Sequence, residues 1–304
     1  MRISRTRSAV RVPATSGNVG PGFDAMGLAL DLTDELVLEA TTGGVSVEVE
    51  GEGSGAVPDG EDHLVVRALR LALDHVGAPQ IGVRLHCVNR IPHGRGLGSS
   101  AAATVAGLML ARGIIAEPDA LSDDVLLELA TVMEGHPDNA APAILGGVTV
   151  SWTEAGRPRT VGLEIGRDVL DPVVLLPRST LATDSARSLL PAQVPHADAA
   201  ANVGRAALLV HALAHDRALL LPATEDHLHQ DYRAAGMPES VHLVHVLRQE
   251  GYPAVVSGAG PSVLVLAGGD AGMRDVVRRA VDAPQTWRIA RMGCSRDGAV
   301  PVVL

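Results

Sequence analysis

An apolar stretch near 81–88 runs into Pro92-His93-Gly94-Arg95-Gly96-Leu97-Gly98-Ser99-Ser100-Ala101-Ala102, and from Ser99 the chain continues in small residues. That order predicts a strand, a loop and then a helix over about 99–112. Glycines at 94, 96 and 98 let the backbone turn through conformations closed to other residues and come close to a bound group. The paired serines are expected to cap the helix, whose first N–H groups then point at whatever lies before it. The segment reads as a cradle for phosphate. It is not a G-x-x-x-x-G-K-[ST] loop, because all 25 Lys+Arg positions are Arg and the chain has no lysine to offer.

Composition narrows the rest. With 304 residues and 46% hydrophobic content, the chain can fill one large domain or two ordinary ones. Aromatic residues make up only 2%, which leaves few rings for stacking bases. The formal net charge of −10, with no long basic stretch, argues against nucleic acid as a partner. Without lysine there is no Schiff-base former, lysine general base or lysine phosphate clamp. Cys87 and Cys294 are too few for a disulfide framework and lack zinc-site spacing, which fits a reducing compartment. Arg2, Arg5, Arg7 and Arg11 are followed by no apolar signal region, and no run of about 18 apolar residues occurs. A soluble cytoplasmic protein without a membrane partner is expected.

Apolar alternation predicts strands near 8–13, 36–40, 45–50, 81–88 and 146–152, interleaved with helices near 62–76, 99–112 and 123–134. The second half predicts a strand at 173–176, helices near 184–189, 198–220 and 239–250, strands at 253–257 and 262–267, a helix at 271–282 and a strand at 286–292. Setting the extra helices aside, this is the split βαβ order of a ferredoxin-like unit. A boundary is expected near 155–170, in the stretch Gly156-Arg157-Pro158-Arg159.

Three segments carry a resemblance. Pro92–Ala102 is similar to the central ATP-binding motif of the GHMP kinases, the superfamily of galactokinase, homoserine kinase, mevalonate kinase and phosphomevalonate kinase. Val12-Pro13-Ala14-Thr15-Ser16-Gly17-Asn18-Val19-Gly20-Pro21-Gly22-Phe23-Asp24 resembles the first motif in its homoserine kinase form, and Ser257-Gly258-Ala259-Gly260-Pro261-Ser262 resembles the third. The resemblance implies an α+β, two-domain GHMP kinase fold. Residues 1–165 would form a ribosomal protein S5 domain 2-like ATP-binding domain, and residues 166–304 a ferredoxin-like domain completing the substrate site. The implied reaction moves the γ-phosphoryl of ATP, with Mg²⁺, to the hydroxyl of L-homoserine, giving O-phospho-L-homoserine on the route to threonine. Another small-molecule kinase of the superfamily and a non-catalytic nucleotide-binding homologue stay open as alternatives, as does a homodimer.

Site residues follow from the same matches. In the helix beginning after Ser122, a buried face of Val125, Leu129 and Val132 puts Glu128 at its edge and Glu134 on the solvated side. The resemblance makes Glu128, eleven residues before Asn139, the Mg²⁺ ligand together with Ser100. Relatives like mevalonate kinase place an Asp, paired with a Lys, where Asn139 stands. Asn orients a hydroxyl but cannot take its proton, so transfer would rest on positioning and charge stabilisation. The acceptor's carboxylate would be held by Arg187 and Arg233, its ammonium by Asp24, and its side-chain end by Asn18 and Asn139, with Thr183 alongside. His136 reads as a structural hydrogen-bonding residue. One departure is Asp62-His63-Leu64-Val65, where the family pattern leads one to expect an Asn in place of His63 on the adenine side.

Overall fold

The computed structural model describes all residues except 166–169, 268–270, 282–283 and 304. The chain opens with strands β1 (Arg7–Gly17), β2 (Met26–Thr41) and β3 (Val45–Gly51), then helix α1 (Leu64–His75) and strand β4 (Gly82–Asn89). Helices α2 (Ser99–Ile114), α3 (Asp123–Glu134) and α4 (Ala140–Leu145) follow, and strands β5 (Val148–Glu154) and β6 (Arg157–Leu163) close the first half. The second half contains β7 (Val173–Pro177), α5 (Thr183–Ser188), α6 (His196–His215), α7 (Leu220–Ala223), α8 (Pro238–Gln249), β8 (Ala254–Val256), β9 (Val263–Val265), α9 (Ala271–Ala280), β10 (Trp287–Arg291) and β11 (Val300–Pro301).

The first sheet runs β11-β1-β2-β4-β3, with β5 joined to the start of β2 and β6 beyond it. β3 and β4 are parallel and connected through α1, so this is a βαβ unit, while the other pairs are antiparallel. α2 is buried almost all round, at Ala101, Ala102, Val105, Ala106, Leu108 and Leu110 among others. Its small residues let the neighbouring elements approach closely. At Gly107, an added Cβ would press on the backbone of Val65 and on Ala68 in α1.

The second sheet has the order β10-β7-β9-β8, entirely antiparallel. Counted along the chain this is 4-1-3-2, built from the strand and helix order that was expected. β7 is buried throughout because both sheet faces are covered. Val174 and Leu176 join the core that contains Leu209 and Leu213 of α6, whereas Val173 and Leu175 meet Leu243, Leu247, Met273 and Val277 from α8 and α9. The chain end then returns to the first sheet, with Val300 opposite Arg11 and Pro301 opposite Val10.

The stretch Gly156-Arg157-Pro158-Arg159, near which a boundary was expected, belongs to a hairpin. Ala155 and Gly156 have φ of 50° and 79°, the two positive values of a tight hairpin turn, and β6 pairs with β5 from Arg157 to Leu163. The expected boundary between residues 165 and 166 abuts 166–169, which lie outside the described residues.

Candidate active site

The three motif segments converge on one cleft of about 410 Å³, lined by Gly94, Gly96–Ala101, Glu134, Asn139 and residues of the second half. β1 ends on one side of it, the 92–98 loop forms its floor, and the turn after β8 closes it. The joints are hydrogen bonds between segments far apart in sequence. The Thr15 N–H donates to the Leu97 carbonyl (3.0 Å), and Leu181 N–H to Gly94 (2.9 Å). The Ser257 hydroxyl donates to Gly96 (2.7 Å) and lies 2.9 Å from the Ser16 hydroxyl. The loop itself leaves β4 under the control of Asp34, whose Oδ1 accepts the N–H groups of Arg90 (2.6 Å) and Ile91 (2.9 Å). Burial nevertheless leaves the Asp34 carboxyl above its ordinary value, because the two amides only partly offset the loss of water.

Gly94, Gly96 and Gly98 all adopt left-handed φ of 63°, 67° and 65°. Space excludes side chains as well: a Cβ on Gly96 would overlap the Ser257 carbonyl, and one on Gly98 the Thr15 hydroxyl. Gly98 is also the N-cap of α2, and no side chain caps that helix. This corrects the expectation that the serines are caps. Ser99 and Ser100 are its first helical residues, and first-turn N–H groups have no partner within a helix. With Ala101 they line the cleft. Of the segment expected to bind ATP, Pro92 and Ala102 are buried behind the loop and Arg95 reaches back to the Arg178 carbonyl (3.3 Å). His93 faces a second pocket.

The carboxylate beside the loop is Glu134, not Glu128. Glu134 accepts hydrogen bonds from Ser100 (2.8 Å) and Thr104 (2.9 Å). Glu128 lies outside the cleft, 3.8 Å from Arg157. The expected helix phase was wrong because α3 is apolar on several sides. Its buried residues are Leu126, Leu127, Leu129 and Ala130, while Val132 is 76% exposed. Glu134 stands four residues after Ala130 and seven after Leu127, so it continues the buried face toward α2.

In the first motif, Asn18, Val19 and Asp24 hold left-handed φ of 68°, 46° and 55°, a concentration of strained non-glycine backbone. Asn18 ties that turn down: its N–H donates to Asp138 Oδ2 (3.1 Å), its side-chain amide to Gly258 (2.8 Å), and its Oδ1 accepts from Asp24 N–H (3.0 Å). Asn18 therefore anchors three segments while lining the cleft, rather than only facing the acceptor. Asn139 accepts from the Thr15 hydroxyl through Oδ1 (3.0 Å). Asp138 is buried and hydrogen-bonds His136, which also lines the cleft. Burial alone would lower the His136 imidazole, but the Asp138 hydrogen bond and charge outweigh it and hold it above its ordinary value.

Asp24 and Arg187, expected to meet opposite ends of an amino acid, form a two-pronged ion pair with each other (2.7 and 3.1 Å). Thr183, at the start of α5, lines the cleft beside them. Arg233 is only 2% exposed yet reaches the same cleft. Both guanidiniums lie 5.7 Å from the ring centre of Phe23, the chain's one phenylalanine. Sequence reading passed over Phe23, Thr15, Thr104 and Asp138. Phe23 and Thr15 stand inside the first motif and Asp138 directly before Asn139, which was the available signal.

A second pocket of about 270 Å³ shares Ser99 and Ser100 with the cleft and is lined by Leu36, Val57, Pro58, Val65, His63 and His93 among others. The buried Nδ1 of His63 has no hydrogen-bond partner there.

The GHMP kinases N terminal domain family matches residues 63–147. A homoserine kinase of Streptomyces coelicolor is 52% identical over 97% of this chain and 94% of its own length. That of Streptomyces avermitilis is 53% identical over 95% and 94%. The crystal structure of homoserine kinase from Cytophaga hutchinsonii superposes with a TM-score of 0.82 at 25% identity, covering 98% of both chains. With its glycine-rich loop set in one cleft and its sequence likeness over nearly the full length, the chain belongs to the homoserine kinase family of the GHMP kinases.

Proposed function

We propose that this chain transfers the γ-phosphoryl of ATP to the hydroxyl of L-homoserine, giving O-phospho-L-homoserine for threonine synthesis in the cytoplasm. One observation carries the reading. A single cleft faces the uncapped start of α2 with Ser100 and Glu134, and on its other wall presents Asp24, Arg187 and Arg233. One wall suits a polyphosphate and the other an amino acid. The resemblance divides the chain at 165/166, and on that reading each half supplies part of the acceptor wall.

The loop amides and the first turn of α2 would bind the phosphates, since backbone N–H groups and the helix dipole both favour negative charge. The Ser100 hydroxyl and Glu134 carboxylate are hard oxygen donors 2.8 Å apart, a set that fits Mg²⁺. When bound, that ion would offset charge on the β- and γ-phosphate oxygens. The acceptor's carboxylate and ammonium would exchange with the Asp24–Arg187 pair, each taking the opposite charge, so neither side chain loses a partner. Arg233 adds a second cation for the carboxylate. Asn139 would orient the hydroxyl without accepting its proton, leaving transfer to geometry and charge.

ADP release measured with homoserine, serine, mevalonate, galactose and 3-amino-1-propanol tests this. Homoserine is expected to give the highest kcat/KM, and the amino alcohol lacking a carboxylate to react poorly. Turnover of mevalonate or galactose without homoserine would overturn the assignment.

A further inference from the structure

Arg233 is the largest fully buried side chain of the described residues, and a guanidinium at such depth needs partners for its donors. Its NH1 donates to His229 Nδ1 (3.1 Å) and to the Gly258 carbonyl (3.2 Å), while the buried Nε has no partner. The His229 ring is fixed in turn. Its Nε2 lies 2.9 Å from the Gly20 carbonyl, and its face stacks on Phe23 with ring centres 5.1 Å apart. A carbonyl can only accept and a guanidinium can only donate, so these two contacts together require the neutral ring carrying its proton on Nε2.

We propose that His229 is a positioning residue for the acceptor site: as the Nε2–H tautomer it takes NH1 of Arg233 and so directs NH2 of that guanidinium, rather than its buried Nε, to the carboxylate of the substrate. NH2 then offers the carboxylate a charge-assisted hydrogen bond. The proposal rests on the reading of Arg233 as part of the amino-acid site.

The surroundings agree with a neutral ring. Burial lowers the His229 value most, and the Arg233 charge lowers it further. The Asp226 carboxylate, the Gly20 carbonyl and Asp24 raise it, but not enough to restore it. Asp226 Oδ2 is 3.7 Å from Nε2 and is engaged by the backbone N–H groups of His229 (3.0 Å) and Gln230 (2.8 Å). Because the folded value is depressed, the stability tied to neutral His229 is complete above the ordinary 6.5 and is lost as pH falls below it. A proton on Nδ1 would set N–H against N–H and turn Arg233 away.

His229→Leu keeps bulk and removes the acceptor, whereas His229→Asn places a carbonyl oxygen near the position of Nδ1. His229→Leu should raise KM for homoserine about tenfold or more, with kcat and KM for ATP little changed. His229→Asn should recover most of the loss. In a double-variant cycle, adding His229→Leu to Arg233→Ala should cost little beyond Arg233→Ala alone. Nitrogen-15 spectra of the wild-type imidazoles provide a readout independent of folding in the variants, and should show one ring as neutral Nε2–H at about pH 6 to 7. Equal losses in Leu and Asn variants, additive losses in the cycle, or a protonated His229 at neutral pH would each overturn the proposal. If Arg233→Ala itself leaves homoserine saturation unchanged, the amino-acid site has been misplaced. If Arg233→Ala raises KM about 30- to 150-fold while His229→Leu does not, only the positioning role fails.

Discussion

Glu134 and Glu128 separate two explanations of the same helix. Both are carboxylates on α3 six positions apart, but only Glu134 contacts the hydroxyls of Ser100 and Thr104. Glu134→Gln is expected to lower kcat by about 100-fold or more, the scale on which groups organising transition-state charge act. It should also raise the Mg²⁺ concentration needed for half-maximal rate. Glu128→Gln removes only a 3.8 Å ion pair to an exposed arginine and should leave both quantities within about twofold. Steady-state rates over a Mg²⁺ series check this, and equal losses in the two variants would place the metal elsewhere. The physical distinction is helix face: both are half-buried, but Glu134 faces the α2 hydroxyls and Glu128 faces Arg157.

Within the loop-helix unit, the glycines are irreplaceable for two separable reasons, strain and space. Gly98→Ala meets both, since its φ is 65° and its Cβ would overlap the Thr15 hydroxyl that also binds Asn139. Gly77, at the end of α1, has a similar φ of 61° but open space around it. Gly77→Ala should therefore cost only the left-handed strain, about 1 to 2 kcal/mol of stability. Gly98→Ala should additionally displace Thr15 and raise KM for ATP at least about tenfold, a loss of about 1.4 kcal/mol in binding. Thermal unfolding and ATP saturation, measured on both variants, separate the two effects. Similar ATP saturation in the two would show that space around Gly98 is not limiting.

Across the whole molecule, the site exists because two sheets are locked to one loop. The Ser257 hydroxyl, from the turn after β8, reaches Gly96 and Ser16 at once, and Gly258 accepts from both Asn18 and Arg233. Ser257→Ala leaves the Gly96 carbonyl without this donor and should lower stability by about 1 to 2 kcal/mol. Because the joint serves both walls of the cleft, KM should rise for ATP and for homoserine together. Calorimetry with saturation curves for each substrate tests this, and a change confined to one substrate would show that the walls are held independently. The same closure explains why β7 needs apolar residues on both faces, whereas β6, at the edge of the first sheet, has no fully buried residue and exposes Val161.

Much of this was legible in the sequence. Loop, strand and helix positions along 81–112 follow from glycine spacing and small-residue runs, and the element order of the second half follows from its apolar patterning. The three motifs named the cleft and most of its lining. What the sequence did not decide was direction. α3 carries apolar residues on several sides, so its buried face, and hence the choice between Glu128 and Glu134, was set only when α2 packed against it. The pairing of Asp24 with Arg187, and the contact of Gly20 with His229, join residues more than 160 positions apart. Local propensity cannot report such contacts, because they depend on where separate elements are brought together by burial rather than on the residues beside them in the chain.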